Sequence, residues 1–354
     1  MPHPKFGNVG FILGGGGCLE GLPQAVQTRA FLQAGIEPDY IGAVSVGACN
    51  AIDLRNSILI WERCITSPWK IYDLHPVLKR ILDDAIKFIA PFKRHKNWHD
   101  WRRDFKSQRQ NIMYVLAFLK RTGHTFLEVV RSFPREETLG SDNLFPFGEL
   151  VFTHLHTQGI GELRSIFDIN PLMQILKSGK GLETTLLNTA PLHIFVRALE
   201  TRSEHVLTPK TPDELILAIQ AATALVPFFE PVKIGESYFC DVGTVNPFPA
   251  EHAFDAGCDT VFAFVKNYDR IPPTPVHILD RWAKETEIHT GNVFKLFYEK
   301  ARARADKEQK HLYLIMPQPP HPDLRFLGIS PEAIRYTIAT ETLAMENKLD
   351  SLLR

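Results

Sequence analysis

The sequence predicts an α/β fold, a mostly parallel central sheet flanked by helices and carrying a helical insertion. Three observations predict it. A short apolar strand, Val9 to Leu13, runs into four consecutive glycines and then a helical pattern. A second, Tyr40 to Val44, runs into Ser45 and a helix start built of small residues. Alternation of strand and helix resumes only after residues 55–160, where the apolar spacing is helical.

In chain order, the helical pattern after Gly14–Gly17 extends from about Leu22 to Gln33, and Gly35 closes it as a C-cap would. The Tyr40 to Val44 strand then meets Ser45 and Val46-Gly47-Ala48-Cys49-Asn50-Ala51. Strand, glycine turn, helix, strand, sharp turn, helix is a βαβα opening, which implies parallel strands joined by crossover helices. Within 55–160, Ile81, Leu82, Ala85, Ile86 and Ile89, then Ile112, Val115, Leu116 and Leu119, recur at helical spacing. Afterwards come a strand at His193 to Leu199, a helix at Leu215 to Leu225, and strands at Tyr238 to Cys240 and Thr260 to Val265. A strand at Leu312 to Ile315 and a helix after Pro331 finish the chain. The proline-rich pieces at 271–275 and 317–322 read as loops rather than linkers, so residues 1–354 form a single domain with 55–160 as an insertion, a lid or membrane-facing element.

The composition, 44% hydrophobic and 23% charged over 354 residues, excludes a disordered or low-complexity polymer. Forty basic against forty acidic side chains argue against a general nucleic-acid-binding surface. Five cysteines without close pairing indicate neither a disulfide framework nor a zinc site, which favours a reduced, cytoplasmic setting. The N-terminus lacks the apolar core of a secretory signal, and the most apolar stretch, Leu215 to Val232, is interrupted by Gln220, Pro227 and Glu230, too short for a bilayer span.

Four glycines between a strand and a helix present bare N–H groups at a positive helix end, which suits an anion or an oxyanion. A phosphate-binding P-loop would need Lys and Ser or Thr after Gly21, where Leu22 and Pro23 stand, and the G-x-G-x-x-G pattern also fails. A turn with only a packing role fits the same residues. Val44-Ser45-Val46-Gly47 resembles a nucleophile elbow, with Ala43 where a glycine is usual; a serine helix cap explains it equally well. Tyr238-Phe239-Cys240-Asp241-Val242-Gly243 ends a short strand in an acid that desolvation would tune toward a general base, or that would only cap a turn.

In this order the three segments resemble the patatin-like phospholipases: a glycine-rich oxyanion loop, a serine elbow and a distant Asp-Gly motif. Ala34-Gly35-Ile36 with Asp39, Phe167-Asp168 with Pro171-Leu172, Ala198-Leu199-Glu200-Thr201, and the run from Ala218 through Pro227-Phe228-Phe229 to Asn246-Pro247 and Pro249 extend the likeness over residues 7–54 and 162–266. The resemblance implies a patatin-like fold and a lipid acyl hydrolase of the phospholipase A or esterase type. Ser45 is then the nucleophile, Asp241 the base, and the N–H groups of Gly15, Gly16, Gly17 and Val46 the oxyanion hole, with Gly21, Gly47 and Gly243 supporting the motifs. No cofactor or metal is implied. The chain departs from the family at Ala43 and Val242 and at its loop, where in one alignment Cys18 and Glu20 replace a glycine and a cation, and in another, shifted by one residue, Gly15-Gly16-Gly17 are kept and Leu19 stands at the cation position. Those departures leave two further readings open, a catalytically impaired protein that binds lipid or a partner, and an acyltransferase. His193, His205 and His252 offer a Ser-His-Asp alternative without a recognisable motif.

Between Lys79 and Arg131 there are 13 basic and 5 acidic side chains, net +8, against 27 and 35 elsewhere, net −8. Lys93, Arg94, Arg102 and Arg103 interleave there with Trp98 and Trp101, which suits an anionic bilayer surface or a solvated helix face. The expectation is a cytoplasmic protein, peripheral at a membrane surface.

Overall fold

The computed structural model describes residues 3–66, 73–74, 167–178, 190–226, 228–267, 278–321 and 331–354. The chain divides into two compact units, residues 1–73 with 168–354, and residues 74–167. Of the second unit only Leu74 and Phe167 are described, so the insertion from residue 75 onward, with Lys93, Arg94, Trp98, Trp101, Arg102 and Arg103, lies outside the described residues.

In the first unit, β1 (Val9–Leu13) leads into α1 (Cys18–Gln33), β2 (Tyr40–Val44), α2 (Val46–Asn50) and α3 (Ser57–Thr66). Two-residue strands β3 (Asp73–Leu74) and β4 (Phe167–Asp168) stand at the sequence borders of the second unit. Then follow α4 (Asn170–Lys177), β5 (Leu192–Ala198), β6 (Glu204–Leu207), α5 (Pro212–Thr223), β7 (Val232–Ile234), β8 (Ser237–Asp241), α6 (Ala250–Asp255), β9 (Thr260–Phe264), α7 (Ile278–Glu308), β10 (His311–Ile315) and α8 (Pro331–Leu353).

The central sheet is mostly parallel and flanked by helices. Its pairing order is β10-β9-β1-β2-β5-β8-β7, with β6 also on β5. The first four pairings are parallel; β8 and β6 run antiparallel to β5, and β7 antiparallel to β8. Strands β1, β2 and β9 are buried throughout, as parallel strands covered on both faces must be. On one face α6 and α7 cover Ile12, Tyr40, Val261 and Ala263. Elsewhere Leu22, Ala25 and Val26 of α1 pack with Val46, Ile58, Trp61, Ala333 and Ile334, so α3, at the start of the 55–160 segment, belongs to this core.

The pairing along β5 positions the candidate site. β2 pairs with residues 192–195 of β5, β8 with 196–198, and β6 with 194–197, overlapping both. A strand has two edges, so β2 and β8 share one and β6 takes the other. The alternation of backbone bonds agrees. Ile41 N–H donates to the Pro191 carbonyl and Leu199 N–H to the Tyr238 carbonyl, at positions eight apart and hence on one edge, while Ala198 N–H donates to Ser203 on the other. β2 therefore rises along β5 to the level of Phe195, and β8 descends along the same edge to the level of Val196.

Helix boundaries follow local chemistry. α1 starts at Cys18, four residues before the expected Leu22, because Gly17, at φ 60° and ψ −150°, turns the chain directly into it. It ends in a Schellman motif, Ile36 N–H donating to Phe31 and Gly35 N–H to Leu32, with Gly35 at φ 80°. α5 begins at Pro212 rather than Leu215 because Thr211 caps it, its hydroxyl accepting from Glu214 N–H at 3.2 Å.

Candidate active site

The residue after Val44 and the last residue of β8 occupy the same gap along β5, which brings Ser45 and Asp241 together. Ser45 sits at φ 53° and ψ −126°, a region a side chain adopts only under strain, and its side chain makes no cap bond to α2. The serine is thus an elbow rather than a helix cap. The tight turn needs Gly47, where a Cβ would overlap the Leu13 carbonyl. Ala43 is fully buried between its neighbours Leu13 and Ile194, so a methyl is accommodated where the usual elbow has glycine.

Asp241 is 6% exposed. Its Oδ1 accepts from Gly243 N–H at 2.7 Å, an Asx-type turn, and its own N–H donates to the Ala224 carbonyl at 3.1 Å. The carboxyl also faces the Ser45 hydroxyl. Burial pushes its pKa up to about 6, held back in turn by the Ser45 hydroxyl, the Gly243 N–H and the Arg197 guanidinium. Val242, where the family has glycine, has no positive φ and fills a buried cluster with Val44 and Phe195. An ordinary backbone conformation carries the acid motif here.

The glycine loop runs past this pair. A Cβ on Gly15 would stand 3.0 Å from Ser45 Cβ and 3.7 Å from its Oγ, so the Gly15 backbone lies against the serine. Gly16, at φ 147°, and Gly17 continue into α1, while Val46 opens α2 directly after Ser45. A Cβ on Gly21 would overlap the Trp61 ring, which explains that glycine by close packing of α1 against α3. Cys18 heads α1. Glu20, one turn into it, is fully buried with neither carboxylate oxygen hydrogen-bonded; burial raises its pKa well above the usual range, opposed by Lys266 and reinforced by Glu341.

The three sequence-named histidines have other engagements. His193 stacks on Tyr40 at 4.6 Å, His205 bonds Ser203 at 3.1 Å, and His252 bonds Glu204 at 2.8 Å. Two polar networks join residues that no single sequence motif links. In one, Asn50 donates to the Gly21 carbonyl and to Gln24, and accepts from Trp61. In the other, Asn246 and His252 both bond Glu204. Asn246-Pro247 was visible as a motif, whereas nothing around Glu204 marked it. Among the described residues, no cluster of three or more His, Cys, Asp or Glu side chains could hold a metal ion, and no helix is long and apolar enough to cross a membrane. Among the described residues Cys49, Cys240 and Cys258 are buried and form no disulfide.

Comparison with known proteins adds a family. The model of the family described as Patatin-like phospholipase matches residues 11–254, which spans the glycine loop, the serine elbow and the acid turn. The chain is similar to the solved structure of VipD from Legionella pneumophila, with a TM-score of 0.40 and 12% identity over 99% of this chain and 68% of that one. No curated protein sequence matches.

Proposed function

The chain belongs to the patatin-like phospholipase family, whose members are lipid acyl hydrolases, and on that premise we propose that it is a serine carboxylic-ester hydrolase working through a Ser45–Asp241 dyad. The observation that carries this reading is the strained Ser45 facing a buried carboxyl whose pKa, about 6, is suited to proton transfer near neutral pH.

Asp241 takes the Ser45 proton as Oγ attacks the ester carbonyl. The N–H groups of Gly15, Gly16, Gly17 and Val46 hold the oxyanion as it forms, and each such donor in a serine hydrolase contributes about 3 kcal/mol. Asp241 then gives the proton to the departing alcohol, leaving an acyl group on Ser45. Water, deprotonated by the same carboxylate, releases the acid and restores the serine. The cycle uses no cofactor or metal, and an alcohol in place of water would make it an acyltransferase.

The departures at Cys18, Ala43 and Val242 support a second reading, a lipid- or partner-binding protein with impaired catalysis. The buried, unstrained accommodation of Ala43 and Val242 favours the active one. Fluorophosphonate labelling decides between them. The parent protein should carry an adduct on Ser45, located by mass spectrometry, that Ser45→Ala abolishes and Asp241→Asn diminishes. Folded protein with no adduct would return the chain to the binding reading.

We propose a peripheral position at an anionic membrane from the basic, aromatic composition of residues 79–131, and a cytoplasmic setting from five cysteines without close pairing in the sequence. Reversing Lys93, Arg94, Lys96, Arg102 and Arg103 to Glu should weaken sedimentation with phosphatidylserine vesicles, and salt should weaken that of the parent. Equal sedimentation by the two would leave the segment a solvated helix face.

A further inference from the structure

Behind the Asp241 turn lies a chain of three hydrogen-bonded side chains to which acyl transfer assigns no part. Asn246 closes the turn: its N–H donates to the Val242 carbonyl at 2.9 Å, and its Oδ1 accepts from Phe248 N–H at 3.1 Å. Its Nδ2 donates to Glu204 Oε2, on β6, at 2.5 Å. The other Glu204 oxygen meets His252 Nε2, on α6, at 2.8 Å. The His252 ring lies 4.8 Å from that of Phe195, which packs with Val44 and Val242. β6, the turn and α6 are thereby tied together around β5, the strand on whose edge Ser45 and Asp241 meet.

The chain is built to hold a position. Asn246 is 6% exposed with both ends of its amide bonded, and a buried amide that loses a partner is left with an uncompensated polar group. A cavity of 310 Å³, lined in part by Glu204, Asn246 and His252, opens on this cluster rather than on Ser45. Asp241 itself is faced by Ser45, the Gly243 N–H and Arg197. Of these, the Gly243 N–H belongs to the turn that Asn246 closes.

We propose that Glu204 is a positioning residue that anchors Asn246 and thereby fixes the turn presenting the Gly243 N–H to the Asp241 carboxylate. The proposal rests on Asp241 as the base of the reaction. Its direction is distinctive. Removing a nearby carboxylate would by charge alone lower the pKa of Asp241, whereas loosening the turn and losing the Gly243 bond raises it. The Glu204→Gln variant can still accept from Asn246 and should preserve the anchor.

The test compares the parent with Glu204→Ala, Asn246→Ala, their double variant and Glu204→Gln, each checked for folding by its thermal melt. Carbon-detected NMR follows the Asp241 carboxyl titration, and fluorophosphonate labelling follows Ser45. Both alanine variants should move the titration midpoint to higher pH and slow labelling at pH 7 by about tenfold, a cost in keeping with a slightly misplaced catalytic group. Glu204→Gln should leave both near the parent. The double variant should be no worse than either single one, as expected of residues acting in series. A midpoint unmoved or lowered in the alanine variants, or additive losses in the double, would overturn the proposal. Should the alanine variants not fold, Asn246→Ser, too short to reach Glu204, replaces them: a raised midpoint supports the anchor, and an unmoved or lowered one overturns it. A parent protein that does not label at Ser45 would instead remove the hydrolase reading, while the titration would still test the anchor.

Discussion

Ser45 and Asp241 face each other because two strands end head to head along one edge of a third. β2 stops at Val44, opposite Phe195, and β8 stops at Asp241, opposite the next residue, Val196. The sheet register sets their proximity, with no long loop required. The sharp turn out of β2 then puts strain on one residue.

That residue is Ser45, and its strain can be measured. At φ 53° and ψ −126° a Cβ is crowded against its own backbone, at a cost of about 1–3 kcal/mol. Ser45→Gly should therefore be about 1 kcal/mol more stable than Ser45→Ala after glycine's own entropic cost, while abolishing chemistry at this position. Ser45→Ala, which keeps the Cβ and loses the hydroxyl that faces the buried Asp241 carboxyl, should fall about 1 kcal/mol below the parent at neutral pH. Urea unfolding of the three proteins separates these outcomes; a glycine variant no more stable than the alanine one would mean that the elbow is relaxed.

Asp241 couples activity and stability to pH with opposite signs. Its folded-state pKa of about 6 lies above the ordinary 3.8, so its carboxyl favours the protonated form more when folded than when unfolded. The associated stability is complete below about pH 4 and lost as pH rises through 6, amounting to about 3 kcal/mol for a shift of this size. Labelling of Ser45 should rise over the interval in which stability falls. Asp241→Asn, which carries no charge to bury, should exceed the parent in stability by up to about 3 kcal/mol at pH 8 and match it near pH 4. Equal unfolding curves at pH 8 would show that the carboxylate is not strained by burial.

The parallel core was legible because strands buried on both faces have no polar residue to confuse the pattern, as in Val9–Leu13 and Tyr40–Val44. The glycine loop and Ser45 were legible because each stands at a strand end in a turn that few residues tolerate, and Asp241 because it ends a strand in an Asx-type turn. Glu204–Leu207 was not, since an edge strand whose residues are exposed or half-buried carries no hydrophobic alternation. The antiparallel return of β8 was hidden for another reason. Period and composition describe a strand and say nothing of its direction, and it is the direction of β8 that brings Asp241 to Ser45. The Glu204 and Asn50 networks join residues far apart in sequence, which local patterns do not report.

Restoring family glycines should not improve this protein. Val242 is buried with Val44 and Phe195 at an ordinary φ, so Val242→Gly removes packing and adds chain entropy, a loss of about 2–3 kcal/mol. Ala43→Gly gives up one buried methyl and about 1 kcal/mol. Neither should raise the Ser45 labelling rate. A marked rise in either would identify the substitution as a brake on catalysis and support the impaired reading.

The Asn50 network spans the elements that carry the glycine loop, and removing its centre should be costly. Asn50 Nδ2 donates to the Gly21 carbonyl at 2.7 Å and to Gln24 Oε1 at 2.8 Å, while its Oδ1 accepts from Trp61 Nε1 at 3.0 Å. Gln24 in turn donates to the carbonyls of Gly14, at the start of the loop, and Phe264, at the end of β9. All of this is buried, so Asn50→Ala strands two polar groups, Gln24 Oε1 and Trp61 Nε1, and takes a second bond from the Gly21 carbonyl, which should cost roughly 3 kcal/mol. Trp61→Phe strands one, the Asn50 oxygen, while keeping most of the ring that packs on Gly21, and should cost about 1–2 kcal/mol. If the network also aims the loop at the oxyanion, Asn50→Ala should slow Ser45 labelling at temperatures where it remains fully folded. Parent-like labelling by folded Asn50→Ala would confine the network to holding α1, α2 and α3 together, and leave the loop's geometry to the glycines themselves.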